Sequence, residues 1–354
     1  MSKDVIHALR EYERSITRFG NPWDMWMERI YDAVSLFGDL INAKPTEVCP
    51  HASATTALIA LLSSLPSNNN RRKIITTDLD YPTVGVSVLA AEKWGFKVEV
   101  LKNTEGEIPL ELYEKRINEE TLLVATFHVS ALNGLRQDLK AISEICHDRG
   151  CYFMVDAYQS LGAVPLDVKQ VKADFLISGA TKFLLGIPGA AFLYVKEDLV
   201  DELEPAAAGW LSQQNPVLFG REKLDYRRDA KRFEQGTWSV ASMYAAYAGM
   251  RIIKEIGVYR IWEQIQKVRD YFVSEAFDYG FEFFSRTDKP LGPTVSLYFG
   301  ELSHDVEVSL RRRGVITAAR GYGVRFAHHF FNTKNDVDKA LETLWKIKKN
   351  TARN

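Results

Sequence analysis

Asp156 and Lys182 are the two residues whose placement asks for chemistry. Both lie in MVDAYQSLGAVPLDVKQVKADFLISGATKFLLGIPGAAFLYV, residues 154–195. Asp156 closes an apolar run, and Lys182 sits in a small-residue turn between two more. A lysine amine held against apolar surface loses its proton cheaply and can condense with a carbonyl as a Schiff base. Pyridoxal 5'-phosphate is the cofactor that uses such a lysine, and it needs a carboxylate on its pyridine nitrogen to keep the ring an electron sink. The pair alone also has a plainer reading, because a strand-end Asp often caps a helix and a loop lysine is usually a solvated charge.

Other residues fit the same chemistry, each with a plain alternative. PHASATTALIALL puts Ala54 and Thr55 at a helix start, where free N–H groups and the helix dipole favour a phosphate; Ser53 or Thr55 could equally be a simple cap. Tyr81, in LDYPT, is placed to stack on a flat ring, or belongs to an ordinary turn before Pro82. Gly236-Thr237 precedes a long helix, as a second phosphate contact or another cap. Arg325 stands on a strand near the C-terminus, where its guanidinium could fork a carboxylate or join a surface ion pair.

The elements that must position these residues are legible from periodicity. The first 45 residues read as two helices broken at Asn21-Pro22. From there, helices alternate with strands that are apolar throughout: KIITTD, KVEVLK, TLLVATF, CYFMVD, ADFLIS and AAFLYV. That alternation predicts an α/β fold, with a mostly parallel sheet covered by helices on both faces. Ligands of such sheets bind beyond the carboxyl ends of the strands, which gathers Asp80, His128, Asp156 and the Ser178–Lys182 turn around one crevice. Residues 196–240 read as irregular, a stretch more often functional than idle. Long helices follow, then a small C-terminal α+β domain. The expected division is a helical segment at 1–45, a large cofactor domain at 46–255 and the small domain at 256–354.

Composition narrows the function classes. The chain has 354 residues, a net charge of −1 and no basic stripe, so nucleic acid and anionic membranes are poor partners. Cys49, Cys146 and Cys151 show no disulfide or zinc spacing, which suits a reduced, cytoplasmic setting. MSKDVIHALREYERS is charged and amphipathic rather than apolar, so no signal peptide is expected, and no run is apolar enough to span a bilayer. No metal site is expected. A nucleotide-binding protein is disfavoured because neither a Walker-type loop nor a GxGxxG turn is present.

Four blocks in order carry a resemblance: MVDAYQSLGAVPLDV, ADFLISGATKFLLGIPGAAFLYV, RFEQGTWSVASMYAAYAGMRIIKEIG and VRFAHHFFNTKNDVD. Through them the chain resembles class V of the pyridoxal-phosphate aminotransferases, of fold type I, which includes cysteine desulfurases, kynureninase and isopenicillin N epimerase-like proteins. The resemblance implies Lys182 as the Schiff-base lysine and Asp156 as partner of the pyridine nitrogen. It implies Gln159 on the cofactor's phenolic oxygen, Tyr81 on its ring face, and Ala54 and Thr55 on its phosphate. Thr181 stands where the family often has His or Tyr, and could reach the phosphate. Thr237 matches a residue that reaches the phosphate from the other subunit, which implies a homodimer with shared active sites. Arg325 matches the arginine that holds the substrate α-carboxylate.

The implied activity is that of an enzyme acting on an L-amino acid, with transamination ahead of β-elimination (a C–S lyase) or epimerisation. A non-catalytic, cofactor-binding interaction protein is the alternative of another class. Desulfurases of this class need a nucleophilic Cys in a C-terminal loop, but every Cys here precedes Lys182 and VITAARGYGVR has none, which argues against a persulfide route. The side-chain pocket is expected around Trp210, Trp238, Arg320 and Tyr322. His51, His128, His328 and His329 are candidate acid–base helpers, with a structural role the commoner one for each.

Overall fold

The computed structural model describes residues 1–66, 70–218 and 222–351. Helix α1 (Lys3–Phe19), capped by Ser2, and α2 (Trp23–Ile41), entered through Pro22, pack together on a later long helix. Ring contacts mark that seam, with Tyr12 5.9 Å from Trp26 and 5.8 Å from Tyr244.

The large sheet comprises β1 (Val48–His51), β2 (Lys73–Thr77), β3 (Lys97–Leu101), β4 (Thr121–Phe127), β5 (Tyr152–Asp156), β6 (Phe175–Gly179) and β7 (Ala191–Val195). Their order is β1-β7-β6-β5-β4-β2-β3. The strands from β3 to β6 run parallel, while β7 turns back and β1 pairs antiparallel to it. The reversal at β7 follows from a short connection: eleven residues between β6 and β7 hold a turn, too few for a helical crossover. β1 is the strand that periodicity does not mark, since VCPH is short and holds a Pro and a His.

Helices α3 (Ala54–Ser64), α4 (Pro82–Ala90), α5 (Leu110–Arg116) and α6 (Leu139–Asp148) connect the early strands. Five of the seven strands are buried at every position, as apolar runs between two helical layers must be. One layer packs α3 and α4 against Ile74, Leu123 and Ile177. The other brings α2 and α6 against Val124, Val155 and Leu176, with Phe37 stacked 4.4 Å from Phe192. After α7 (Glu197–Val200) the chain to residue 239 holds only short 3-10 turns among the described residues.

α8 (Val240–Ile256) and α9 (Val258–Asp278) then meet at Gly257, whose φ of 89° ends one helix and starts the next. The small domain has a three-stranded antiparallel sheet ordered β8-β10-β9, from β8 (Thr294–Tyr298), β9 (Ala318–Arg320) and β10 (Gly323–Ala327). α10 (Ser303–Arg312) and α11 (Lys334–Thr351) cover it over a core of Val295, Leu297, Val324 and Phe326. It docks on the large domain through residues 130–135. Ser296 Oγ donates to the Leu132 carbonyl at 2.9 Å, and Gly292 N–H to the Gly134 carbonyl at 2.8 Å. A Cβ at Gly134 would overlap the Thr294 backbone, so the approach requires glycine there. Among the described residues no helix is long and apolar enough to cross a membrane.

Candidate active site

The strand order reverses direction between β2 and β4, and ligands of open α/β sheets bind at such switch points. Asp156 ends β5 beside this point, and Lys182 follows β6, the adjacent parallel strand. Asp156 is buried, and its Oδ1 accepts the Tyr158 N–H at 2.9 Å. Burial raises its carboxyl to about 6, against the pull of that N–H and of the Lys182 charge. Lys182 is half-buried, and burial first, then the charge of Arg325, lower its ammonium to about 8, with Asp156 opposing and Arg320 adding to the shift. An amine shifted this way reaches its nucleophilic form near neutral pH.

Two aromatic rings flank that amine. Lys182 Nζ lies 4.7 Å from the Tyr158 ring centroid and 5.2 Å from that of Tyr81. Tyr81 precedes α4 as its N-cap residue and is partly exposed beside the amine. Tyr158 is a site residue that the sequence reading did not single out. Its hydroxyl meets Thr181 Oγ1 at 2.5 Å, and its ring lies where a Cβ on Gly179 would fall. The signal was present as an aromatic two residues after Asp156, facing a Ser-Gly-Ala-Thr turn with room for it.

The phosphate candidates sit around the start of α3. Ser53 Oγ accepts the Thr56 N–H at 3.1 Å, so Ser53 is the cap. Ala54 and Thr55 are then first-turn residues, whose N–H groups have no partner within the helix. Thr55 Oγ1 is 3.4 Å from Thr83 Oγ1, a second hydroxyl that the sequence did not flag. Gln159 is buried in the turn after Asp156. Thr237 is exposed just before α8.

Arg325 comes to the crevice from β10 of the small domain. Its Nη1 donates to the Ala131 carbonyl at 2.5 Å, across the domain seam. Burial, then the charge of Arg320, lower it to about 10.

Other expected residues fall elsewhere. Asp80 does not line the crevice with an open carboxylate. It is half-buried at its own turn, its Oδ2 accepting from Thr76 Oγ1, Thr77 N and Thr77 Oγ1 at 2.7–2.9 Å, and desolvation first, opposed by those bonds, raises it to about 7. His128 gives its backbone N–H to the Asp156 carbonyl, but its side chain lines a different cavity with Arg136, Gln137 and Pro165. Burial lowers His51 and His128 to about 3 and His328 and His329 to about 4. Both C-terminal histidines turn to backbone carbonyls, His328 to Pro293 and His329 to Phe183. Trp210 and Trp238 pack on α2, 6.1 Å from Trp23 and from Tyr31 respectively, in a stretch whose 3-10 turn at 230–233 packs on β1. Arg320 and Tyr322 do stand at the Arg325 hairpin.

The arrangement suits a flat, aldehyde-bearing, phosphorylated cofactor. It offers an amine with lowered basicity, a buried carboxylate on the adjacent strand end, an aromatic face, and hydroxyls and N–H groups at a helix start.

Comparisons with known proteins point to the same chemistry. The family model for aminotransferase class-V matches residues 3–339. A Bacillus subtilis (strain 168) protein named Uncharacterized aminotransferase YcbU is 35% identical, over 97% of this chain and 90% of its own length. Cysteine desulfurase IscS of Shewanella sediminis is 26% identical over 92% of this chain and 84% of its own. Among solved structures, the apo cysteine desulfurase of Thermococcus onnurineus NA1 superposes with a TM-score of 0.85 at 25% identity, covering 99% of this chain and 92% of that one. A complex of the cystine C-S lyase C-DES with cysteine persulfide shares the fold, with a TM-score of 0.88 at 18% identity over 98% and 94%. This chain belongs to the class V aminotransferase family.

Proposed function

We propose that this member of the family binds pyridoxal 5'-phosphate at Lys182 and transfers the amino group of an L-amino acid. The observation that carries the reading is the pairing of Lys182 with Asp156 on adjacent strand ends. The amine is lowered to about 8, and the carboxylate beside it is buried. Bound there, the cofactor supplies a carbonyl for amines and an electron sink for the charge left at the substrate Cα. Asp156 would hold its ring nitrogen protonated, and Tyr81 would cover one ring face. Gln159 would meet its phenolic oxygen, while Ala54, Thr55 and Thr181 would hold its phosphate. Arg325 would fork the substrate carboxylate and so orient Cα toward Lys182. Lys182, once released by the incoming amine, is the group placed to move the Cα proton.

The reading includes a homodimer. Thr237 is exposed, which fits a residue serving the neighbour's phosphate. A cytoplasmic setting goes with three free, buried cysteines. Those same buried thiols favour transamination over desulfuration through a protein persulfide, which needs an accessible thiolate. The division at 1–45, 46–255 and 256–354 remains our working description of the domains.

The test is the visible spectrum of the protein loaded with pyridoxal phosphate, before and after a panel of L-amino acids. A band that is lost in Lys182→Ala and converts to the amine form of the cofactor with certain amino acids supports transamination. Release of ammonia and a keto acid without added acceptor would mean β-elimination. A wild-type protein with no such band would refute the reading.

A further inference from the structure

The small-domain sheet presents two guanidinium groups to the crevice, where an amino acid's α-carboxylate needs one. In the antiparallel register Arg320 lies opposite Gly323, and Ala318 opposite Arg325. Opposed residues share a face, so Arg320 and Arg325 project from the same side of the sheet, as diagonal neighbours roughly 7–8 Å apart. The alternate residues Val324 and Phe326 fill the small-domain core behind them.

Neither arginine has a carboxylate partner among the described residues. Arg325 donates to the Ala131 carbonyl at 2.5 Å and Arg320 to the Ala319 carbonyl at 2.7 Å, which leaves N–H donors of each fork unspent. Their charges are felt in the site, since both depress Lys182, and Arg320 is the leading charge acting on Arg325. The one carboxylate acting on Lys182, Asp156, is buried at the strand end and spends Oδ1 on the Tyr158 N–H. The hairpin tip that carries Arg320 is also seated: Gly321, at φ 53°, stands against Leu132 of the large domain. The mouth of the crevice therefore carries an excess of positive charge, from a half-buried Arg325 and an exposed Arg320. The phosphate candidates belong to a different element, the start of α3, and none of them is hydrogen-bonded to either arginine.

We propose that Arg320 recognises a second acidic group, so that the preferred substrate is an L-amino acid with a carboxylate in its side chain. Arg325 holds the α-carboxylate and Arg320 the side-chain carboxylate, each through N–H groups not spent on a backbone carbonyl. This rests on the reading of Lys182 as the reacting amine of a pyridoxal-phosphate enzyme.

The test uses the cofactor-loaded protein and unreactive probes: succinate and glutarate against propionate and butyrate, titrated by calorimetry and by displacement of the visible band. L-Aspartate and L-glutamate against L-asparagine, L-glutamine and L-alanine then give the same contrast in kcat/KM. A charge-assisted fork predicts dicarboxylates bound roughly tenfold to a hundredfold tighter than monocarboxylates. In Arg320→Gln that ratio collapses to within about threefold, and Arg320→Lys recovers part of it. Thermal melting checks that both variants are folded. If the wild-type band is normal but acidic and neutral ligands bind alike, or Arg320→Gln leaves the ratio unchanged, the assignment of Arg320 fails while the Lys182 reading stands. A wild-type protein that forms no band removes both.

Discussion

Asp156 and Glu234 are both carboxyl groups taken almost fully out of water, and they differ in what surrounds them. Asp156 ends a strand, accepts a backbone N–H and faces the Lys182 charge, so its carboxyl rises only to about 6. Glu234 lies in the irregular stretch before α8 with no exposed surface, and the Trp238 indole N–H beside its carboxyl makes no well-formed hydrogen bond to either oxygen. Burial raises it to about 8, although Arg227 and Lys231 pull the other way. Those two cations are already engaged, since Arg227 Nε is 3.0 Å and Lys231 Nζ 3.7 Å from Asp229. One carboxyl is thus arranged to stay ionised opposite a cation, and the other to keep its proton. Burial alone does not make a site; burial together with a directed partner does.

The contrast is tested first where it should be largest. Lys182→Ala removes the amine that everything near Asp156 addresses, and turnover should fall by about three orders of magnitude or more. Steady-state assays of cofactor-loaded protein, with circular dichroism as the folding check, measure it. Asp156→Asn keeps the shape and the Tyr158 contact but removes the charge, and kcat should fall about a hundredfold with little change in melting temperature. If Asp156→Asn turns over like the wild type, Asp156 is no more a site residue than Glu234, and the comparison collapses.

The two carboxyls also show why part of the site could be read in the sequence and part could not. Asp156 is visible because a parallel-sheet strand is an apolar run, and a charge closing it lands on the ligand-binding edge. Lys182 is visible for the same reason. Arg325 needed the small domain to dock, but its strand period and its place near the C-terminus were enough to nominate it. Asp80 and His128 satisfied the same strand-end rule, yet Asp80 turns one oxygen onto its own loop and His128 lines another cavity, because the rule places a backbone and the following turn aims the side chain. Tyr158 went unread because its role depends on Gly179, a residue of a neighbouring strand. Glu234, Trp210 and Trp238 lie where no period exists, and their environments are set by packing on α2 and β1.

Gly179→Ala probes that cross-strand dependence and should have a smaller effect. The new methyl would overlap the Tyr158 ring, and the ring cannot shift without leaving Thr181 and the lysine it flanks. Overpacking of this kind costs about 1–3 kcal/mol, and kcat/KM should fall with it. Tyr158→Ala in the same chain makes room, so in a double-mutant cycle the second substitution should return most of the stability lost to the first. Strictly additive losses would mean that Gly179 and Tyr158 do not constrain one another.

The smallest effect on turnover belongs to Glu234→Gln, and there the difference from Asp156 is read in stability. Glu234 is raised from 4.5 to about 8 in the folded chain. Between those values the folded state keeps a proton that the unfolded state has released. Stability from this group is therefore fully present below about pH 4.5 and is lost progressively as the pH climbs toward 8. Glutamine is neutral throughout and matches the protonated acid in shape, so the variant lacks that slope. Denaturant midpoints for wild type and variant should coincide at about pH 4 and separate as the pH rises. By pH 8 the variant should be the more stable, by an amount on the order of a few kcal/mol at most. Tyr31 and Cys49 titrate only above this window, because burial and then the nearby Glu234 raise both. Asp80 and Asp156 contribute slopes of the same sign, but those are common to both proteins and cancel in the difference. Parallel curves across the whole range would mean that Glu234 is ionised in the folded chain and has found a partner. The two buried carboxyls would then differ in position but not in kind.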